Sequence, residues 1–229
     1  FLTLGIPSFY SQINNFLKEF YEFLGISVFS SLFWATIAIL LLDFSLFISH
    51  YIRHKSKFLW NFHMFHHSAT EMTIFSKFRI SPYDLISMII VLPINSFAMV
   101  LLISSLTKAN FIPFIIICGY KGLREFWDYL AHSSYKVIYP KPISYILMSP
   151  SLHWLHHSSN PKHFNKNFGD VFSIWDKFFG TYLGEEHLSE ISSFGFAKSK
   201  YNRVNPFNAL FIHPIELTAK FIKSNHIKT

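Results

Sequence analysis

ISVFSSLFWATIAILLLDFSLFISHYIRH, residues 26–54, decides how the rest of this chain is read. Residues 26–49 carry one charge, Asp43, and are long enough to cross a bilayer, which takes about 20 apolar residues. The run ends in His50 and His54, four apart, and helical geometry puts such a pair on one face, about 40° apart. The basic RHKSK that follows marks this end as cytoplasmic. An apolar helix therefore delivers two imidazoles to the cytoplasmic membrane boundary.

The composition agrees with a membrane protein. Of 229 residues, 51% are hydrophobic and only 14% charged, against about 25% in an ordinary soluble domain. The net charge is +7, but Lys and Arg flank apolar spans instead of lining one amphipathic face. Cations facing anionic lipid explain this better than nucleic acid, which is not expected as a partner. Cys118, the one cysteine, lies in an apolar run and reads as packing; it excludes a disulfide scaffold.

Three further regions follow outward. Residues 83–106 read as a second span, kinked at Pro93, and TKAN as a polar turn. FIPFIIICGY, from residue 111, continues as a helix through KGLREFWDYLAH, so the two regions form a membrane hairpin returning to the cytoplasmic side. Residues 140–190, more polar and punctuated by Pro and Gly, read as a soluble cap. The expected division is an amphipathic, interfacial segment over 1–25, a membrane domain with its cap over 26–190, and an interfacial tail over 191–229. The fold class expected is all-α: an integral membrane helical bundle with a cytosolic His-rich cap holding a dimetal site.

HMFHH, residues 63–67, and HWLHH, residues 153–157, write the same pattern twice. In each, the first histidine can pair with one three or four positions on, while its neighbour turns towards a second site. With His50, His54 and the single His132, the set is His50, His54, His63, His66, His67, His132, His153, His156 and His157. One metal takes four to six ligands, so nine imidazoles point to two metals in one cavity. Imidazole suits Zn, Cu, Fe and Ni; higher coordination numbers favour iron over a closed zinc site. Asp43, Asp128 and Asp170 are candidates to orient ring N–H groups. Position 51 is Tyr, which removes the HExxH protease reading. His187, His213 and His226 read as surface or interface residues.

The order H-x3-H, H-x2-H-H, a lone H, then H-x2-H-H resembles the membrane fatty acid hydroxylase superfamily, which includes sterol desaturases and alkylglycerol monooxygenase. SPSLHWLHHSSNPKHFNKNFGDVFSIWDKFFGTY, residues 149–182, looks like the alkylglycerol monooxygenase and bacterial sterol-desaturase-like branch. The resemblance covers roughly residues 43–184. It implies two iron ions held by the nine histidines and O2-dependent hydroxylation or desaturation of a C–H bond in a membrane lipid, whether fatty acyl, sterol or ether lipid. No catalytic residue is expected beyond the ligands. Asn167, Gly169, Trp175 and Asp176 fall on the motif that trails the last histidines, where Asn167 joins the carboxylates as a candidate orienting partner. His163 departs from the family pattern and stays outside the set. A further family histidine would fall near Tyr120.

The trailing motif favours monooxygenation. Electrons are expected from outside: cytochrome b5, ferredoxin or a reduced pterin. The expected location is multi-pass in a bacterial inner membrane or the endoplasmic reticulum, with the site on the cytosolic side. The competing reading is a metal-binding transporter or sensor. It needs polar groups along the spans, yet residues 26–42 and 85–106 have no ionisable group. A degenerate, purely structural family member is the third reading.

Overall fold

The structure, a computed structural model, describes residues 15, 19, 28–105, 112–196, 205 and 207–226. The expected segment over 1–25 and the TKAN turn lie largely outside the described residues. Helices make up the regular structure, with no strand among the described residues and two isolated bridges, Leu147–Phe172 and Ser158–Phe194. The chain divides into two compact units, one formed by residues up to Leu42 with Pro93–Gly122, the other by Asp43–Leu92 with Leu123 onward.

In the first unit, the N-terminal half of α1 (Val28–Lys55) packs with α4 (Leu92–Ser105) and the first half of α5 (Ile112–Ala131). Ala35 and Ala38, three apart on one face of α1, are buried with Leu101; Trp34, Ile37 and Ile117 surround them. Small side chains at that spacing let helices approach closely. Leu32–Lys55 is one helix long and apolar enough to cross a membrane, and Pro82–Ile90 with Leu92–Leu101 makes a second if the broken pair is one span. The break falls at Val91, two residues before Pro93, on the side where a proline disrupts the preceding turn. Pro93 sits in the first turn of α4, where a missing N–H costs nothing because no intrahelical carbonyl awaits it. Cys118, expected to pack, is exposed on α5.

The second unit carries the cap. α1 ends at Lys55, and Ser56 starts α2 (Lys57–His63) by accepting from the Leu59 N–H. A single 3-10 turn, His66–Ser68, follows. After the short α3 (Leu85–Ile90) and the C-terminal half of α5 come α6 (Lys141–Ser144), α7 (Leu152–His157) and α8 (Ile174–Phe178). Trp127 and Ala131 of α5 bury against Met148, Leu152 and Leu155, with Tyr182 and Leu183 packed beside them. Thus Leu152 and Leu155 anchor one side of α7 while its histidines face elsewhere. The tail forms a π-helical segment, Asn208–Ile212, running into α9 (His213–His226). Ala209 packs on Phe65, whereas Phe207, Ile212, Ile215 and Ile222 stay exposed.

Candidate metal centre

All nine histidines of the sequence pattern converge in the second unit. They fall into two groups: His50, His54, His63, His67 and His156 in one, His66, His132, His153 and His157 in the other. Within each group the donor nitrogens lie within 4.8 Å of one another. The two repeated motifs exchange residues. HMFHH gives its outer pair to the group of five and His66 to the group of four; HWLHH gives its outer pair to the group of four and His156 to the group of five. On α7 the helical angle explains this, because i and i+4 share a face while the residue at i+3 points about 100° away from i+4.

The tautomers are set by the groups around them. His50 Nδ1 donates to the Phe168 carbonyl at 3.0 Å and His156 Nδ1 to the Lys166 carbonyl at 2.8 Å. His132 Nδ1 lies 2.9 Å from the Asp128 carbonyl and 3.0 Å from its carboxylate. His63 Nδ1 lies 3.3 Å from Asp84 Oδ2. With the proton held at Nδ1, Nε2 of each ring is a free lone pair. Buried Nε2 atoms of His50, His54 and His63 have no hydrogen-bond partner. Other Nε2 atoms face one another: His67 and His156 at 3.1 Å, His132 and His66 at 3.2 Å, His153 and His132 at 3.3 Å, His157 and His153 at 3.0 Å. Nitrogens bound about 2.1 Å from one ion stand about 3.0 Å apart at right angles and about 3.4 Å apart in a tetrahedron. The donor set therefore fits metal ions.

Electrostatics point the same way. Burial holds His63, His66, His67, His153 and His157 well below the usual histidine range and brings His156 down to about 3. Neighbouring imidazoles, and the Arg53 guanidinium near His63, push further down. These six rings are neutral at physiological pH, the form that ligates metal.

The trailing motif is the scaffold behind the clustered imidazoles. Asn167 has φ 55° and donates through Nδ2 to the Leu152 and Leu183 carbonyls while its Oδ1 accepts from the Leu183 N–H. The clamp fixes the loop whose carbonyls at 166 and 168 orient His156 and His50. Asp176 accepts from the N–H groups of Phe168 and Gly169 at 2.9 and 2.6 Å, and from Thr181 Oγ1 at 2.6 Å. Asp43, buried in α1, accepts from the Val171 N–H and from the Trp175 indole at 2.8 Å. Asp170 pairs with Arg124 at 2.7 Å. Of the four expected orienting residues, Asp128 touches a ring of the cluster, Asn167 acts through the backbone, Asp43 anchors the motif and Asp170 holds a cation. His163, fully buried, stands 3.5 Å from Glu190 and in neither group. The sequence reading missed Asp84 and both carbonyls.

Two cavities reach the rings. One, of about 360 Å³, is walled by Trp60, Phe164 and Phe196 and reaches His54, His67, His156 and His157. The other, of about 160 Å³, is lined by Arg53, Lys77, Arg124, Asp128 and Asp170 and reaches His50, His63, His66, His132 and His153.

The sequence profile described as Fatty acid hydroxylase matches residues 35–181, well over half of the chain and all nine histidines. The chain belongs to the fatty acid hydroxylase family. Among curated relatives, alkylglycerol monooxygenase of Caenorhabditis elegans is 30% identical over 145 residues, 63% of this chain and 26% of the relative. Ornithine lipid hydroxylase OlsE of Rhizobium tropici is 25% identical over 150 residues, 66% of this chain and 42% of the relative. Human alkylglycerol monooxygenase is 29% identical over 153 residues, 65% of this chain and 30% of the relative. The chain thus spans less than half the length of these relatives. No solved structure matches it.

Proposed function

We propose that this family member is an O2-dependent, non-haem di-iron enzyme that hydroxylates a C–H bond of a membrane lipid. The division of nine clustered imidazoles, seven buried and those of His50 and His54 half-buried, into groups of five and four carries the reading. His50, His54, His63, His67 and His156 hold one iron, and His66, His132, His153 and His157 the other. The iron pair, when bound, supplies O2 activation strong enough to oxidise an unactivated C–H bond.

The chain's own residues supply the rest. The carbonyls of Lys166 and Phe168 and the carboxylate of Asp128 keep protons on Nδ1, so that Nε2 atoms converge on the metals. Histidine ligands withstand an oxidising site better than Cys or Met would. The Trp60, Phe164 and Phe196 walls give an apolar chain a dry place beside the metals, and exclusion of water limits side reactions. His50 and His54 close the cytoplasmic end of the apolar helix, so a lipid reaches the site from the bilayer. Support for lipid over other substrates comes from the family match and from relatives named alkylglycerol monooxygenase and ornithine lipid hydroxylase. We place the enzyme in a multi-pass arrangement with its site on the cytosolic face, and assign the electrons to a separate carrier: cytochrome b5, ferredoxin or a reduced pterin.

Elemental analysis of detergent-purified protein, followed by O2 uptake with lipid extracts and a reductant, tests the proposal. About two irons per chain and lipid-dependent O2 uptake are expected. A protein that binds no metal when iron and zinc are both supplied overturns it.

A further inference from the structure

Each metal group contains one histidine whose Nδ1 meets a carboxylate. In the group of four it is His132, with Asp128 Oδ1 at 3.0 Å. In the group of five it is His63, with Asp84 Oδ2 at 3.3 Å. Asp84 lies outside every histidine motif, at the end of a 3-10 turn capped by Ser81, and it is buried.

Its position is held by a network joining α1 to the start of α3. Ser49 Oγ meets Ser87 Oγ at 3.0 Å, and Ser87 Oγ donates to the Asp84 carbonyl at 2.7 Å. On the same turn of α1, Arg53 Nε donates to the Ser49 carbonyl at 3.1 Å. The Arg53 Nη1 then stands 3.4 Å from His63 Nδ1. Two groups of opposite character therefore compete for one ring nitrogen. Arg53 is only a donor and selects the tautomer with a bare Nδ1 and the proton on Nε2. Ionised Asp84 is only an acceptor and selects the proton on Nδ1, which frees Nε2. His63 Nε2 is buried without a hydrogen-bond partner, the arrangement that Asp84 selects.

We infer that Asp84 is the positioning residue of the five-histidine metal: it overrides Arg53, fixes His63 as the Nδ1–H tautomer and turns Nε2 into a ligand. Asp128 does the same for His132, so the two metals are separable by mutation of one carboxylate each. The inference rests on the di-iron reading and adds a residue to it. A neutral imidazole shell leaves each cation's charge uncompensated, and a carboxylate behind one ligand also returns negative charge to each site.

The test is metal retention, read by elemental analysis and by titration with a competing chelator, on full-length protein in detergent. Wild type should release two equivalents. In Asp84→Asn, which keeps the shape and removes the charge, one equivalent should bind about 10- to 100-fold more weakly. In Asp84→Ala that equivalent should weaken further, because Arg53 is left as the sole partner of Nδ1. Adding Arg53→Met to Asp84→Ala should recover part of the loss, a rescue that a merely structural role for Asp84 would not give. Asp128→Asn should weaken the other equivalent. Retention of both equivalents at wild-type affinity in Asp84→Ala overturns the inference, as does equal loss of both without rescue. Absence of metal in wild type overturns the di-iron reading itself, so the two failures are distinguishable.

Discussion

His67 Nε2 lies 3.1 Å from His156 Nε2, although 89 residues separate them. Next to each in sequence stands a histidine of the other group, His66 and His157, whose ring centroids are 4.6 Å apart. The repeated motif thus works as an interlock: each copy contributes to both groups, and neither group is complete without both copies.

Removing one member of each group should therefore be site-selective. His67→Ala is expected to weaken one metal equivalent and His157→Ala the other, with membrane insertion unchanged. Elemental analysis of the two purified variants checks this. Full metal content in both would show that the rings are not ligands.

His213 provides the opposite case. It faces Glu216 on the tail helix at 3.4 Å, in neither metal group. His213→Ala should keep wild-type metal content and activity, and a dead enzyme would mean that the tail belongs to the site.

Gly169 supports the clustered imidazoles from behind. A Cβ there would meet the Phe172 carbonyl oxygen at 2.6 Å and Asp176 Oδ2 at 2.8 Å. Both are held in place, so Gly169→Ala should destabilise the cap by about 1–3 kcal/mol. Thermal unfolding in detergent measures the loss. Because the Phe168 carbonyl beside it orients His50, weaker metal retention should accompany the lower stability.

The metal-free protein should lose stability in mild acid. His63, His66, His67, His153 and His157 have folded-state pKa values below the ordinary 6.5, and His156 is at about 3. Between those values the unfolded chain binds more protons than the folded one, so stability falls as pH drops below about 6.5. Above that pH the protonation states agree and the curve should be flat. Bound metal should shift the loss to lower pH, because ligation competes with protons. A denaturation midpoint unchanged from pH 7 to pH 5 in apo-protein would contradict the neutral, buried cluster.

The sequence by itself determined what depends on local pattern. Apolar length gave α1, and α5 runs unbroken from its apolar start to His132's threshold, as FIPFIIICGY and KGLREFWDYLAH together required. Residue type and i, i+3, i+4 spacing singled out eight of the nine imidazoles and let adjacent ones turn to different sites; the ninth, the lone His132, stood out by Asp128 one helical turn before it. Tertiary structure alone decided the rest. Backbone carbonyls are common to every residue, so nothing in the letters marks those of Lys166 and Phe168 as the partners of His156 and His50. Asp84 carries no motif and reaches His63 only because α3 begins beside α1. Asp43, legible as a charge in an apolar run, became an anchor for Trp175, 132 residues away, only when the chain closed on itself. Side-chain chemistry and helical period are local and can be read along the chain, as can the Asp128 partner of His132 one turn back; the protons on His50 and His63 are fixed by atoms that folding brings from far away.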